Sequence, residues 1–148
     1  MKDLHILLKR MLQYLTQLVL PFVYIYERSD FSVKLYGAII YPEHIREVLQ
    51  LEKFGKFFTG KFTMLTKFDK NSNEYLEINI ELKSSVAPTY FSKIVVVDAL
   101  VKNHITRNSE YFNNYRSIPK KVTPALVFWA YGDPSYFKSG IKQKWVKK

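Results

Sequence analysis

An α+β fold is what this sequence predicts, on three observations. Residues 61–83 contain two runs in which Phe62, Met64, Thr66 and Phe68, then Leu76, Ile78, Ile80 and Leu82, occupy alternate positions around a polar turn, as paired strands do. Residues 42–54 and 85–104 carry apolar residues at helical spacing, each with a proline near its start. From residue 33 onward the segments follow the order β-α-β-β-α-β, which is that of a ferredoxin-like sandwich with two helices on one face of an antiparallel sheet.

Taken in order, residues 4–20 predict a helix, with Leu4, Leu7, Leu8, Met11, Leu15 and Leu18 on one side and Pro21 as its stop. The uncharged run 11–26 is shorter than the ~20 residues a spanning helix needs, and Gln13, Gln17 and Pro21 interrupt it. No membrane span or secretory leader is expected. Residues 22–26 and 33–40 predict strands. The helix 42–54 turns Ile45, Val48 and Leu49 inward, and Gly55 stops it. In the hairpin, even-numbered apolar residues share a face only if the register is even. Pairing Phe68 with Leu76, Thr66 with Ile78, Met64 with Ile80 and Phe62 with Leu82 also sets Lys67 opposite Glu77. The helix 85–104 places Tyr90, Ile94, Val97 and Val101 on one side, although the run 94–97 also suits a strand. Residues 103–116 are polar and aromatic and predict a loop. Residues 126–131 predict the last strand, bounded by Pro124 and Gly132-Asp133-Pro134.

The 148 residues suit one domain with extensions: an N-terminal helix and strand (1–30), an α+β domain (31–131) and a basic aromatic tail (132–148). There is no cysteine, which excludes disulfides, thiolate metal sites and a cysteine nucleophile. His5, His44 and His104 have no ligand spacing, so neither a metal nor a cofactor is expected. Richness in Phe, Tyr, Ile, Asn and Lys indicates an AT-rich coding genome. A mitochondrial, organelle-encoded origin fits this composition.

Charge is distributed unevenly. Residues 116–148 hold eight of the 23 basic residues and one acid, within a net charge of +10. Arg116, Lys120, Lys121, Lys138, Lys142, Lys144, Lys147 and Lys148 are interleaved with Trp129, Tyr131, Tyr136 and Trp145. Cations beside flat side chains suit a polyanion with bases to stack on. One catalytic pattern also calls for scrutiny. Asp69 and Glu81-Leu82-Lys83 match the Asp…Glu-x-Lys signature of metal-dependent nucleases, in which two carboxylates share an ion. The hairpin register sets Asp69 beside the turn and Glu81 about 20 Å along the strand, which argues against a shared ion.

From residue 78 onward the chain resembles the ribosomal small-subunit protein ten family. The resemblance rests on Ile78-Asn79-Ile80-Glu81-Leu82-Lys83-Ser84, the helix after it, the basic turn Ile118-Pro119-Lys120-Lys121-Val122, and residues 126–138 with Pro134. It departs where the family has Gly-Pro before the basic turn, since Arg116-Ser117 stands here. The resemblance implies an extended strand reaching into ribosomal RNA. Together with the charge pattern it leads to an expectation of a non-enzymatic RNA-binding protein of a mitochondrial ribosomal small subunit. Its partners would be ribosomal RNA and neighbouring ribosomal proteins. A single-stranded-DNA-binding protein is the alternative, and a nuclease using Glu81 and Lys83 a weaker one.

Overall fold

The sequence around residue 33 dictates a hairpin, not one strand. Val33–Leu35 (β1) and Ala38–Ile40 (β2) pair antiparallel, correcting the single strand expected over 33–40. Tyr36 and Gly37 take φ values of 47° and 86°, as the two central positions of a type I′ turn require. Gly37 does so freely. Tyr36 is held there by its neighbours: its N–H donates to the Glu74 carboxylate, and its carbonyl accepts from Asn114 Nδ2 at 2.8 Å. The structure is a computed structural model and describes residues 31–88, 92–138, 140 and 144–146. The helix expected over 4–20, the strand over 22–26 and Tyr90 lie outside the described residues.

The helix expected over 42–54 is two, Pro42–Leu49 (α1) and Glu52–Gly55 (α2). Leu51, extended at ψ 138°, separates them. Ile45, Val48, Leu49 and Phe54 are buried as the spacing requires. Phe58–Phe68 (β3) and Glu74–Leu82 (β4) then form the long hairpin. Its register is two residues away from expectation. Thr66 pairs with Leu76, Met64 with Ile78 and Phe62 with Ile80. The cause is the turn. Asp69 accepts N–H donors from Asn71 and Asn73 at 2.8 and 2.9 Å, closing a shorter loop in which Phe68 pairs with Glu74. A two-residue slip leaves every side chain on its face. Lys67 still reaches Glu77, at 2.8 Å, from a diagonal position.

Lys93–Arg107 (α3) starts later than the residue 85 expected, and Pro88 keeps Ala87 before it out of the helical region. The strand alternative for 94–97 is not taken. Residues 103–116, expected as a loop, are helical: α3 runs through 107, and Ser109–Ser117 (α4) follows. Asn108 caps α4 by accepting the Tyr111 N–H at 2.9 Å. The Tyr111 hydroxyl, buried, donates to the Val122 carbonyl at 2.9 Å. Pro119–Val122 (α5) leads into Ala125–Trp129 (β5). Three asparagines in these helices bind backbone carbonyls elsewhere: Asn103 to His44 at 2.7 Å, Asn108 to Ile39 at 2.9 Å and Asn114 to Tyr36 at 2.8 Å. Polarity that reads as loop in the sequence ties these helices to the β1–β2 hairpin and to α1 in the fold.

The architecture is α+β, with two sheets and five helices among the described residues, consistent with a ferredoxin-like arrangement. The main sheet has order β3-β4-β5. β5 lies parallel to β4, joined to it by the α3–α5 crossover. One face is the core. Phe62, Met64, Leu76, Ile78, Ile80, Leu82, Leu126 and Phe128 pack there with Val96 and Leu100 of α3 and with Ile45 and Val48 of α1.

The other face is buried too, and it is polar. Thr63, Glu77, Asn79 and Glu81 are all nearly inaccessible. Residues 130–138 bend back from β5, with Gly132 donating to Glu81 at 2.9 Å and Phe137 buried. The far end of the chain also returns to the sheet. Trp145 accepts the Met64 N–H at 2.7 Å on the outer edge of β3, where Val146 pairs parallel with Met64. The Trp145 ring lies edge-on to Phe31 at 6.1 Å and under the Arg46 guanidinium at 4.3 Å. Residues 144–146, within the segment read from the sequence as a basic aromatic tail, thus pack against the body. Trp145→Ala is expected to lower stability by about 2 kcal/mol, from lost apolar burial and the cation–π contact. Urea unfolding by tryptophan-independent circular dichroism checks this.

Candidate docking surface

The residues expected to meet nucleic acid fall into two groups. Arg116, Lys120, Tyr131, Lys138 and Lys144 are exposed. Lys121 is exposed but donates to Asn73 at 3.0 Å, and Arg116 lies 5.8 Å from the Phe112 ring. The aromatics that were to stack on bases are mostly engaged within the protein. Trp129 Nε1 donates to Asn79 Oδ1 at 2.6 Å, and its ring packs on Tyr136 at a centroid distance of 4.5 Å. Trp145 packs on Phe31 and Arg46, as above. Residues 126–138, which the family resemblance sets as a strand reaching outward, supply most of β5 within the sheet and then a segment that bends back from it. Lys142, Lys147 and Lys148 lie outside the described residues.

The carboxylates of the nuclease pattern do not meet. Asp69 sits in the hairpin turn, and its carboxyl is held below its ordinary range by hydrogen bonds from Asn73 and Asn71. Glu81 pairs with Trp129 at the far end of the sheet, buried. It accepts from Thr59 Oγ1 at 2.6 Å and Gly132 N–H at 2.9 Å, with Lys61 Nζ at 3.6 Å. Lys83 donates to the Gly55 carbonyl at 2.6 Å. Among the described residues no three His, Asp or Glu side chains are grouped to hold a metal ion. No described helix is long and apolar enough to cross a membrane.

A different surface is open. Helix α3 buries Val96 and Leu100 against the sheet, spacing i and i+4. Ile94 is then 78% exposed and Val95 45% exposed. Beside them runs a groove of about 290 Å³, lined by Lys93, Ile94, Val97, Asp98 and Val101 of α3, by Tyr115 of α4 and by Thr123. Val101 is its floor, buried yet outside the central core cluster. Most of the lining surface is apolar, from Ile94, Val97, Val101 and Tyr115. Asp98 is its acid, and Lys102 neutralises it at 2.8 Å. A signal for this surface stands in the sequence. Ile94-Val95-Val96-Val97 is a longer aliphatic run than one helix face can bury, so part of it must face outward.

No protein-family model matches the chain, and no curated protein does. Among solved structures the chain is similar to a domain of phenylacetate-coenzyme A ligase from Bacteroides vulgatus ATCC 8482. The identity is 20% and the TM-score 0.41, over 82% of this chain and 94% of that one. The functional expectation from the sequence is corrected here. That solved structure is a domain of an enzyme. The tryptophans meant for bases are committed to the sheet and to Arg46. A likeness this weak carries neither ligase activity nor substrate to this chain.

Proposed function

We propose that this chain is a non-enzymatic docking domain that holds a partner protein on the α3 groove. The observation that carries the reading is Ile94, 78% exposed at the mouth of an apolar groove that Val97, Val101 and Tyr115 line. Large exposed aliphatics beside a concave apolar lining are what a binding anchor looks like from the receptor side. Glu81 and Glu77, the carboxylates on the second sheet face, have structural work in holding residues 130–138 and Lys67.

The test is a selection of peptides from a displayed random library against the purified protein, repeated on Ile94→Asp. Selected peptides are expected to lose at least roughly tenfold in affinity on the variant, the size of a modest anchor truncation. Its stability should stay within about 0.5 kcal/mol, because the side chain is exposed and an acid suits the first turn of α3. Peptides that bind both proteins equally contradict the reading. So does a single-stranded RNA that outcompetes them and is itself indifferent to the substitution.

A further inference from the structure

Resting on that docking reading, we infer that the groove is proton-gated: His104, buried behind it, holds its lining in place while neutral and releases its occupant on taking up a proton in mildly acidic solution. A ladder of rings joins the two. His104 lies fully buried on α3, three residues beyond Val101, the floor of the groove. Its ring packs on Tyr111 of α4 at a centroid distance of 5.1 Å. Tyr111, also fully buried, stacks on Tyr115, a lining residue of the groove, at 6.4 Å with the ring planes 18° apart. The Tyr111 hydroxyl donates to the Val122 carbonyl at 2.9 Å, and the next residue, Thr123, also lines the groove. Tyr111 thus positions both lining residues that do not belong to α3, and His104 is packed against Tyr111. In a close-packed interior a ring that moves displaces the rings it touches.

The surroundings of His104 suit the neutral ring alone. Among the described residues neither of its nitrogens has a hydrogen-bond partner. His44 of α1 adjoins it at 6.1 Å, with its own Nδ1 buried and unpartnered among those residues. The charged and titratable groups around the two rings are Glu43 and Glu47 of α1, Arg107 of α3, and Tyr111 and Tyr115 of α4. Glu47 is paired with Arg107 at 3.1 Å, and burial lowers the pKa of His44 while Glu47 and Glu43 pull it up. Burial, and then His44, hold the proton affinity of His104 low. Tyr111, whose pKa burial pushes up, stays neutral throughout. A proton on His104 is therefore a charge without an acceptor in a dry site, and the ring relieves it by moving toward water. That movement withdraws the face on which Tyr111 packs, and Tyr115 and Thr123 shift with Tyr111. The coupling is reciprocal: an occupied groove holds the closed packing and so expels the proton.

A library-selected peptide free of Asp, Glu and His tests this by fluorescence anisotropy. It is titrated with the full chain at about pH 7.5 and about pH 5, with circular dichroism of the same samples reporting the folded fraction. The affinity of the folded protein is expected to fall at least roughly threefold at the lower pH. On His104→Phe the two affinities are expected to agree within roughly 1.5-fold, which separates His104 from Asp98 of the groove itself. Calorimetry of the parent at the lower pH, in two buffers of different ionisation heat, needs no variant and is expected to show protons released on binding. A parent affinity equal at both pH values, a decline that survives in His104→Phe or follows the folded fraction alone, or binding without proton release overturns the inference and leaves the docking reading standing. If Ile94→Asp leaves the neutral-pH affinity of the same peptide unchanged, the docking reading falls and the inference with it.

Discussion

Replacing Glu81 with alanine is expected to lower the stability of the protein by about 3 kcal/mol, measured by urea unfolding at neutral pH. The Glu81 side chain is inaccessible to solvent and accepts from the Thr59 hydroxyl and the Gly132 N–H, with Lys61 nearby. Removing the carboxylate orphans two half-buried donors, Thr59 Oγ1 and Gly132 N–H, and detaches residues 130–138 from the sheet. Lys61 contributes least, because its own side chain is 44% exposed and the separation is 3.6 Å. Glu81→Gln, which keeps an acceptor for one donor, should lose less than half as much. An alanine variant as stable as the parent would mean that the polar face of the sheet contributes nothing to holding the segment after β5.

The second large effect is on pH dependence. His104 is buried on α3 between His44, at 6.1 Å, and Tyr111, at 5.1 Å. Among the described residues neither ring nitrogen has a hydrogen-bond partner. Burial first, and the neighbouring His44 second, push its pKa down to about 4. In the unfolded chain the ring has its ordinary pKa of 6.5, so the unfolded state takes up a proton first as pH falls. Stability from this group is therefore complete above about pH 6.5 and is lost between about pH 6.5 and pH 4, by about 3 kcal/mol in all. His44 is also shifted down, mainly by burial, and adds in the same direction. Thermal melts from pH 7 to pH 4 should show the decline, and His104→Phe should flatten most of it. A variant with the parent's pH profile would show that His104 does not stay neutral in the folded protein.

How much of the fold is legible in the sequence depends on the range of the interaction that decides each feature. Strand faces follow from alternation alone, which is enough to put Leu76, Ile78, Ile80 and Leu82 on the core side. Register does not follow, because several even registers keep the same faces and Asp69, closing its turn, selects between them. The helix α4 is illegible for a similar reason. Asn103, Asn108 and Asn114 are turn formers by composition, and their role as ties to β1–β2 and α1 emerges only once those elements lie alongside. The basic end departs furthest from its sequence reading. Trp129 and Trp145 are equally suited to a base and to a sheet, and only the return of the chain onto Asn79 and Met64 shows which. The groove is half legible. Four consecutive aliphatics on a helix announce an outward-facing apolar residue, but which one depends on how the crossover sets α3 on the sheet.

The central claim is that the exposed aliphatic of α3, and not exposed apolar surface in general, makes this a docking domain. Two residues separate the possibilities: Ile94, 78% exposed in the groove lining, and Phe68, 68% exposed at the end of β3 and outside it. Titration calorimetry of a library-selected peptide against Ile94→Asp and Phe68→Asp measures the difference directly. At least a roughly tenfold loss is expected on Ile94→Asp and parental affinity on Phe68→Asp. Equal losses on the two variants, or a loss confined to Phe68→Asp, contradict it.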